Sequence, residues 1–353
     1  MTNGPIVAGL LYSTAAGKSN DVPAILARGI DFFGHSGDNM ANAKTATAFS
    51  RAICITVRRH PAVKWMITLF LLVLFAIACA GSASAETFAD EIPPEYMKAA
   101  EEGGQIQRIA YASQDYLNGT GEITKHAVVY LPHGYSEENR YKVLVLCHGV
   151  GGTEDEWGFY KPYSIQKNIV DNLILNGDIE PLIIVMPNGR SCAEPYKTSM
   201  DNAAAFYCFG SELRNDLLPW IEEHYPTYGS DREQRAMAGL SMGGMQTINI
   251  GLCECLDLFS WFGAFSAAPT SNEADKIAAE IGQFPDLPIS YFYSICGTED
   301  NLYFAGSAAA KDLPAHTDRV TEANWHWQER SGGHDFGIWN LGLYNFLKIF
   351  AGT

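Results

Sequence analysis

One serine in this chain is placed to do covalent chemistry. Gly239-Leu240-Ser241-Met242-Gly243-Gly244 sits between an apolar run, QRAMAGL, and a helical pattern over 242–252. A G-x-S-x-G at a strand-to-helix turn holds the hydroxyl out as a nucleophile for acyl transfer. The glycines make room for the tight turn. The Met242 amide, at a helix N-terminus, aims at the point where an oxyanion would form. Glycine-rich helix starts also serve packing, but the strand before and the helix after favour the nucleophile. A serine needs a base, and the base needs an acid to orient it. On such an elbow the chain order is serine, acid, histidine. Three histidines follow Ser241: His316, His326 and His334. His334, in the loop Ser331-Gly332-Gly333-His334-Asp335-Phe336 between the last strand and the last helix, is the expected base. His326 lies within a strand pattern and reads as packed, and His316 reads as solvated. The expected acid is Asp300, just past the apolar strand 290–297, with Glu299 beside it as the alternative.

A second glycine turn, His148-Gly149-Val150-Gly151-Gly152, follows the run VLVLC. Main-chain amides there can reach an oxyanion from the side opposite the elbow. Val150 is the expected donor and Gly149 the alternative, with His148 holding the loop. No Lys-Ser/Thr pair follows these glycines, which argues against a phosphate cradle. The stretch 189–210 carries Tyr196, Phe206, Tyr207 and Phe209. These, with Trp157 and Trp339, are candidates to stack on an acyl ring or a sugar face; packing the loop onto the body is the equal alternative. Cys192 and Cys208 flank that loop and could form a disulfide in an exported protein. Cys147 and Cys296 read as buried apolar residues, and Cys253 and Cys255 lie too close along a helix to pair easily. No cysteine–histidine spacing suggests zinc, so no metal is expected.

The elements that must position these residues are legible as pattern. Continuously apolar runs such as VLVLC (143–147) and LIIVM (182–186) suit strands buried on both faces. Strands are expected at 126–131, 143–148, 182–186, 234–240, 261–266, 290–297 and 324–329. Helical spacing marks 165–175, 211–224 with Ser211 as a possible cap, 242–252 and 340–349. The alternation predicts an α/β fold: a mostly parallel sheet with an antiparallel N-terminal edge at 108–131 and helices on both faces. Composition agrees, since 47% of the 353 residues are hydrophobic and 18% charged, which excludes disorder and a coiled coil. Lys plus Arg number 24 against 40 for Asp plus Glu, a net charge of −16, which argues against a nucleic-acid partner.

The acidic excess belongs to the later part, because residues 1–85 carry seven basic and three acidic residues. Trp65 to Ala80 is uncharged, follows Arg58, Arg59 and Lys64, and leads into Ala83-Ser84-Ala85. A basic flank, an apolar stretch and a small-residue exit describe a secretory signal over 58–85, cleaved near Ala85. A membrane anchor is disfavoured by the short run, and a lipoprotein through Cys79 by its poor approach sequence. Residues 1–57 are an unassigned leader. The expected mature unit is 86–353, one secreted domain without stable membrane insertion.

Taken together, YLPHGY (130–135), LCHGVGG (146–152), LIIVMPN (182–188), AGLSMGG (238–244), GTED (297–300) and GGHDFGIWNLGLYNF (332–346) resemble the carbohydrate esterase family 1 feruloyl esterases. These are esterase D-like enzymes that include the esterase domains of bacterial xylanases. The resemblance covers 108–350 in the same order. It implies an α/β-hydrolase fold and cleavage of ferulate esters on arabinoxylan or feruloylated xylo-oligosaccharides, without metal or cofactor. The family's nucleophile, acid and base fall on Ser241, Asp300 and His334. Acetylxylan esterases share the family and its catalytic residues. A serine peptidase of the same fold usually carries a further large domain. A carbohydrate-binding protein on a dead scaffold would not need an intact serine, acid and histidine.

Overall fold

The computed structural model describes residues 88–301 and 303–353. The expected leader and signal segment lie outside the described residues. Eight strands form one sheet in the order β1-β2-β4-β3-β5-β6-β7-β8. They are β1 (Gln105–Gln114), β2 (Glu122–Leu131), β3 (Lys142–Cys147), β4 (Leu182–Pro187), β5 (Arg235–Leu240), β6 (Trp261–Phe265), β7 (Tyr291–Gly297) and β8 (Trp325–Arg330). β1 and β2 pair antiparallel, as does β2 with β4, and all the other pairs are parallel. The antiparallel N-terminal edge and the parallel remainder are those expected from the pattern.

Side chains alternate across the sheet, so each strand feeds two cores. Val143, Val145 and Cys147 of β3 join a cluster with Leu213, Leu217, Ile248 and Ile277. Leu144 and Leu146 join the opposite cluster with Ile169, Leu173, Leu343 and Phe346. The first face is therefore covered by α2 (209–224), α3 (242–252) and α4 (Ala274–Ile281), the second by α1 (Ile165–Leu175) and α5 (Phe336–Ala351). Two helix starts differ from expectation. The helical run of α2 begins at Phe209, which places Ser211 inside it rather than at its cap. Helix α5 begins four residues early because the Asp335 carboxylate accepts the Gly337 amide at 2.7 Å and caps it.

The chain runs from β3 to β4 on one side and then crosses to β5 on the other. The carboxyl ends of β3 and β5 thus border the switch point where α/β sheets open a crevice. Cys147 pairs with Gly239 in register, so the 148–152 turn and Ser241 emerge side by side.

Candidate active site

Ser241 has φ 55° and ψ −115°, a left-handed conformation that costs a non-glycine residue about 1–3 kcal/mol. Its surroundings hold it there. The Ser241 amide donates to the Phe265 carbonyl at 2.9 Å, and its own carbonyl accepts from Met245 and Ala268, both at 3.0 Å. A side chain at Gly239 would meet the Gly243 backbone at 2.6 Å, and one at Gly243 would meet the Cys147 carbonyl at the same distance. These are the close approaches the glycine spacing predicted. The Met242 amide is the first of α3 and makes no main-chain bond among the described residues.

His334 and Asp300 meet as expected. His334 Nδ1 and Asp300 Oδ2 are 2.7 Å apart, with the carboxylate almost fully buried. Asp300 Oδ1 accepts the Tyr303 amide at 3.2 Å, which fixes the carboxylate plane. Glu299, the alternative acid, does a different job. It accepts from Ser331 Oγ at 2.9 Å and from the Gly332 amide, so it ties down the loop that carries His334. Tyr303 stacks on the imidazole with centroids 3.7 Å apart and planes 11° apart. Trp339 meets the same ring edge-on at 5.0 Å. His326 lies elsewhere, stacked on Phe88 at 3.7 Å, and His316 is exposed at the end of a one-turn helix.

The 148–152 turn abuts the serine: a side chain at Gly149 would come within 3.2 Å of Ser241 Cβ. His148 is buried, with Nδ1 2.7 Å from the Gly149 carbonyl and Nε2 2.9 Å from the Gly189 amide. The carbonyl only accepts and the amide only donates, so this imidazole is neutral with its proton on Nδ1. Burial, reinforced by the charges of Arg190 and Lys125, pushes it down to about 3. His148 therefore holds the loop, as expected. The Gly149 amide donates to Glu156 Oε2 at 2.6 Å, whereas the Val150 amide makes no hydrogen bond among the described residues. Arg190, fully buried, donates to the Val150 carbonyl and, at 2.7 Å, to that of Gly152. Lys125 anchors the segment bearing Arg190 from behind. Its Nζ donates to the carbonyls of Asn188 at 2.8 Å and Arg190 at 2.5 Å, and pairs with buried Glu212 at 3.0 Å. The sequence reading missed Arg190, Glu156, Lys125 and Tyr303. Arg190 alone left a signal, as a cation just past an apolar strand.

Most of the aromatic candidates are corrected by the structure. Trp157 is buried beneath the turn, its indole N–H donating to the Cys147 carbonyl at 3.1 Å and its ring edge-on to Phe265 and Phe336. Phe209 is core. Phe206 is fully buried under the Arg190 guanidinium, 4.7 Å from its centroid. Tyr207 looks into a separate hollow of about 390 Å³ with Asn249, Cys253 and Lys276. Tyr196, half exposed, donates to Glu154 at 2.8 Å. Trp339 lies against His334 rather than open to solvent. What surrounds the serine is an apolar cluster of Met242, Met245, Ala268 and Phe206, with Val150 and Tyr303 at its partly exposed rim. The expected disulfide is also absent. Cys192 is a buried thiol against Asn202 Oδ1 at 3.6 Å, and Cys208 is a free thiol that faces the Ala204 carbonyl of its own helical turn. Each sulfur is thus directed to a local polar neighbour.

Among the described residues, no group of three or more His, Cys, Asp and Glu side chains is placed to hold a metal ion. Among them also, no helix is long and apolar enough to cross a membrane.

A strained serine at a strand-to-helix turn of a largely parallel eight-stranded sheet, with helices packed on both faces, defines an α/β-hydrolase fold. The chain belongs to the family described as "Putative esterase", whose sequence profile matches residues 122–347; these are carboxylic ester hydrolases. It is 32% identical over 203 residues to an endo-1,4-beta-xylanase/feruloyl esterase of Xylanibacter ruminicola, covering 56% of this chain and 25% of that protein. It spans about a quarter of the length of the curated xylanase relatives it matches. Two solved structures share the fold. The CE1 ferulic acid esterase of Anaeromyces mucronatus aligns with TM-score 0.62 and 23% identity, over 74% of this chain and 97% of that one. A serine-to-alanine mutant of the feruloyl esterase module of Clostridium thermocellum, complexed with sinapinate, aligns with TM-score 0.60 and 25% identity, over 74% and 95%.

Proposed function

We propose that this chain is a serine esterase that releases hydroxycinnamic acids, ferulate above all, from acylated xylan or xylo-oligosaccharides. One observation carries the reading: a strained Ser241 and a bonded His334–Asp300 pair stand in the chain order and at the sheet edge that acyl transfer requires. Ser241 Oγ attacks the ester carbonyl while His334 Nε2 takes its proton and Asp300 stabilises the imidazolium. The amides of Met242 and Val150 receive the oxyanion. His334 returns the proton to the departing sugar hydroxyl. Water, activated by the same imidazole, then frees the acid from the serine.

The apolar rim of Val150 and Tyr303 beside the serine favours a planar aryl acid over acetate. The relatives' names agree with this, one a xylanase/feruloyl esterase and one a feruloyl esterase module bound to sinapinate. The deciding experiment is kcat/KM of the full chain on methyl ferulate and on an acetylated xylo-oligosaccharide. At least a tenfold preference for ferulate, set by roughly 1.4 kcal/mol of acyl-pocket contact, supports the reading. A preference for acetate moves the substrate to acetylxylan and leaves the reaction type in place. We also propose that 58–85 is an export signal, the catalytic domain being 86–353. N-terminal sequencing of secreted protein should begin at Glu86; a start within 1–57 would overturn it.

A further inference from the structure

The turn beside Ser241 contains two amides that could serve as the second oxyanion donor, and the structure treats them differently. The Gly149 amide is held by the Glu156 carboxylate at 2.6 Å. The Gly149 carbonyl is occupied from the other side, by His148 Nδ1 at 2.7 Å and the Gly152 amide at 3.1 Å. In a trans peptide the N–H points opposite to the carbonyl, so the Val150 amide is turned away from His148. The next carbonyl, that of Val150, is drawn to the Arg190 guanidinium, which also takes the Gly152 carbonyl at 2.7 Å. Arg190 comes from the segment after β4, stands over Phe206 and is braced through its own carbonyl by Lys125. Both charged groups are partly desolvated. Burial raises the Glu156 carboxyl and lowers the Arg190 guanidinium from their ordinary values.

We propose that Arg190 and Glu156 are paired positioning residues for the oxyanion site, gripping the 149–152 turn from opposite sides so that Val150 presents its amide and Gly149 withholds its own. This inference rests on the reading of Ser241 as the nucleophile. Charged hydrogen bonds suit the task, because they are shorter and roughly twice as strong as neutral ones. A donor that must meet a transient oxyanion gains most from being fixed beforehand.

The test is steady-state kinetics of the full chain on methyl ferulate, together with binding of two probes. One is an arylboronic acid, whose serine adduct puts an oxygen in the oxyanion position; the other is ferulate, the planar product. Arg190→Lys can reach one carbonyl at a time, and should lower kcat by about 10²-fold, the usual cost of a disturbed oxyanion donor, with KM within about twofold. Boronate affinity should fall in step while ferulate affinity holds. Glu156→Ala should lower kcat by about tenfold, and Glu156→Gln, which keeps an acceptor for the Gly149 amide, should recover most of that loss. If Arg190→Lys fails to fold, the Glu156 pair decides by the same two probes. Wild-type kcat in both Arg190→Lys and Glu156→Ala overturns the proposal, as does an equal loss of boronate and ferulate affinity. A wild-type chain that hydrolyses no ester would instead remove the underlying functional reading.

Discussion

The turn beside Ser241 is fixed by buried charge, whereas the loop that carries His334 rests on rings. The 148–152 turn is bound by His148, Arg190 and Glu156, and behind them Lys125 and Glu212 form an ion pair without solvent access. His334 belongs to a loop held by Glu299, and its ring meets Asp300, Tyr303 and Trp339. In the proposed mechanism the contrast follows two tasks. Stabilising a transient negative charge calls for dipoles that do not reorient. Carrying a proton from nucleophile to leaving group calls for a ring that is oriented yet able to change partners and charge. Stacking and one short hydrogen bond orient the imidazole without enclosing it.

Three substitutions sharpen this comparison. The largest effect belongs to the histidine side. Asp300→Asn keeps the shape but removes the charge and favours the wrong imidazole tautomer, and should lower kcat by about 10³–10⁴-fold with little change in thermal stability. A loss below tenfold would mean that the aspartate does not govern the ring. On the turn side the effect is on stability. His148 is held neutral, with its folded value near 3 against about 6.5 in the unfolded chain. The unfolded chain therefore binds a proton that the folded one refuses. This contribution is complete above pH 6.5 and declines as pH falls toward 3, by at most about 1.4 kcal/mol per pH unit. Urea denaturation between pH 6 and 4 should show a shallower loss for His148→Gln than for wild type, and equal slopes would contradict the assignment. The smallest effect is the loss of one ring pair. Tyr303→Ala should lower kcat by about two- to tenfold, matching 0.5–1.5 kcal/mol of aromatic contact, with KM for methyl ferulate within about twofold. A raised KM at unchanged kcat would leave Tyr303 as part of the acyl surface alone.

The same division governs what the sequence made legible. Strands such as VLVLC and LIIVM announce themselves because burial on both faces demands continuous apolar residues. The strained turn at Ser241 and the meeting of Asp300 with His334 were legible because an elbow fixes where its partners must fall along the chain. The clamp was not. Lys125 sits in a strand with its amine on carbonyls 63 and 65 residues away in the chain, and Arg190 reaches back 38 and 40 residues to Gly152 and Val150. Acceptors of that kind are main-chain atoms, which leave no mark in residue identity. The aromatic loop misled for a related reason. Phe206 and Phe209 have the composition of a binding surface, but packing turns them inward beneath Arg190 and into the core. Local composition does not report which way a loop folds over.

The account turns on Ser241 carrying the acyl group. The most direct measurement is rapid acid quench of the full chain with methyl ferulate, followed by mass mapping of the peptide that contains Ser241. One feruloyl group on that serine, formed in a burst before steady turnover and missing from Ser241→Ala, is the predicted result. Turnover of methyl ferulate by Ser241→Ala at the wild-type rate, or an adduct on another residue, would contradict it.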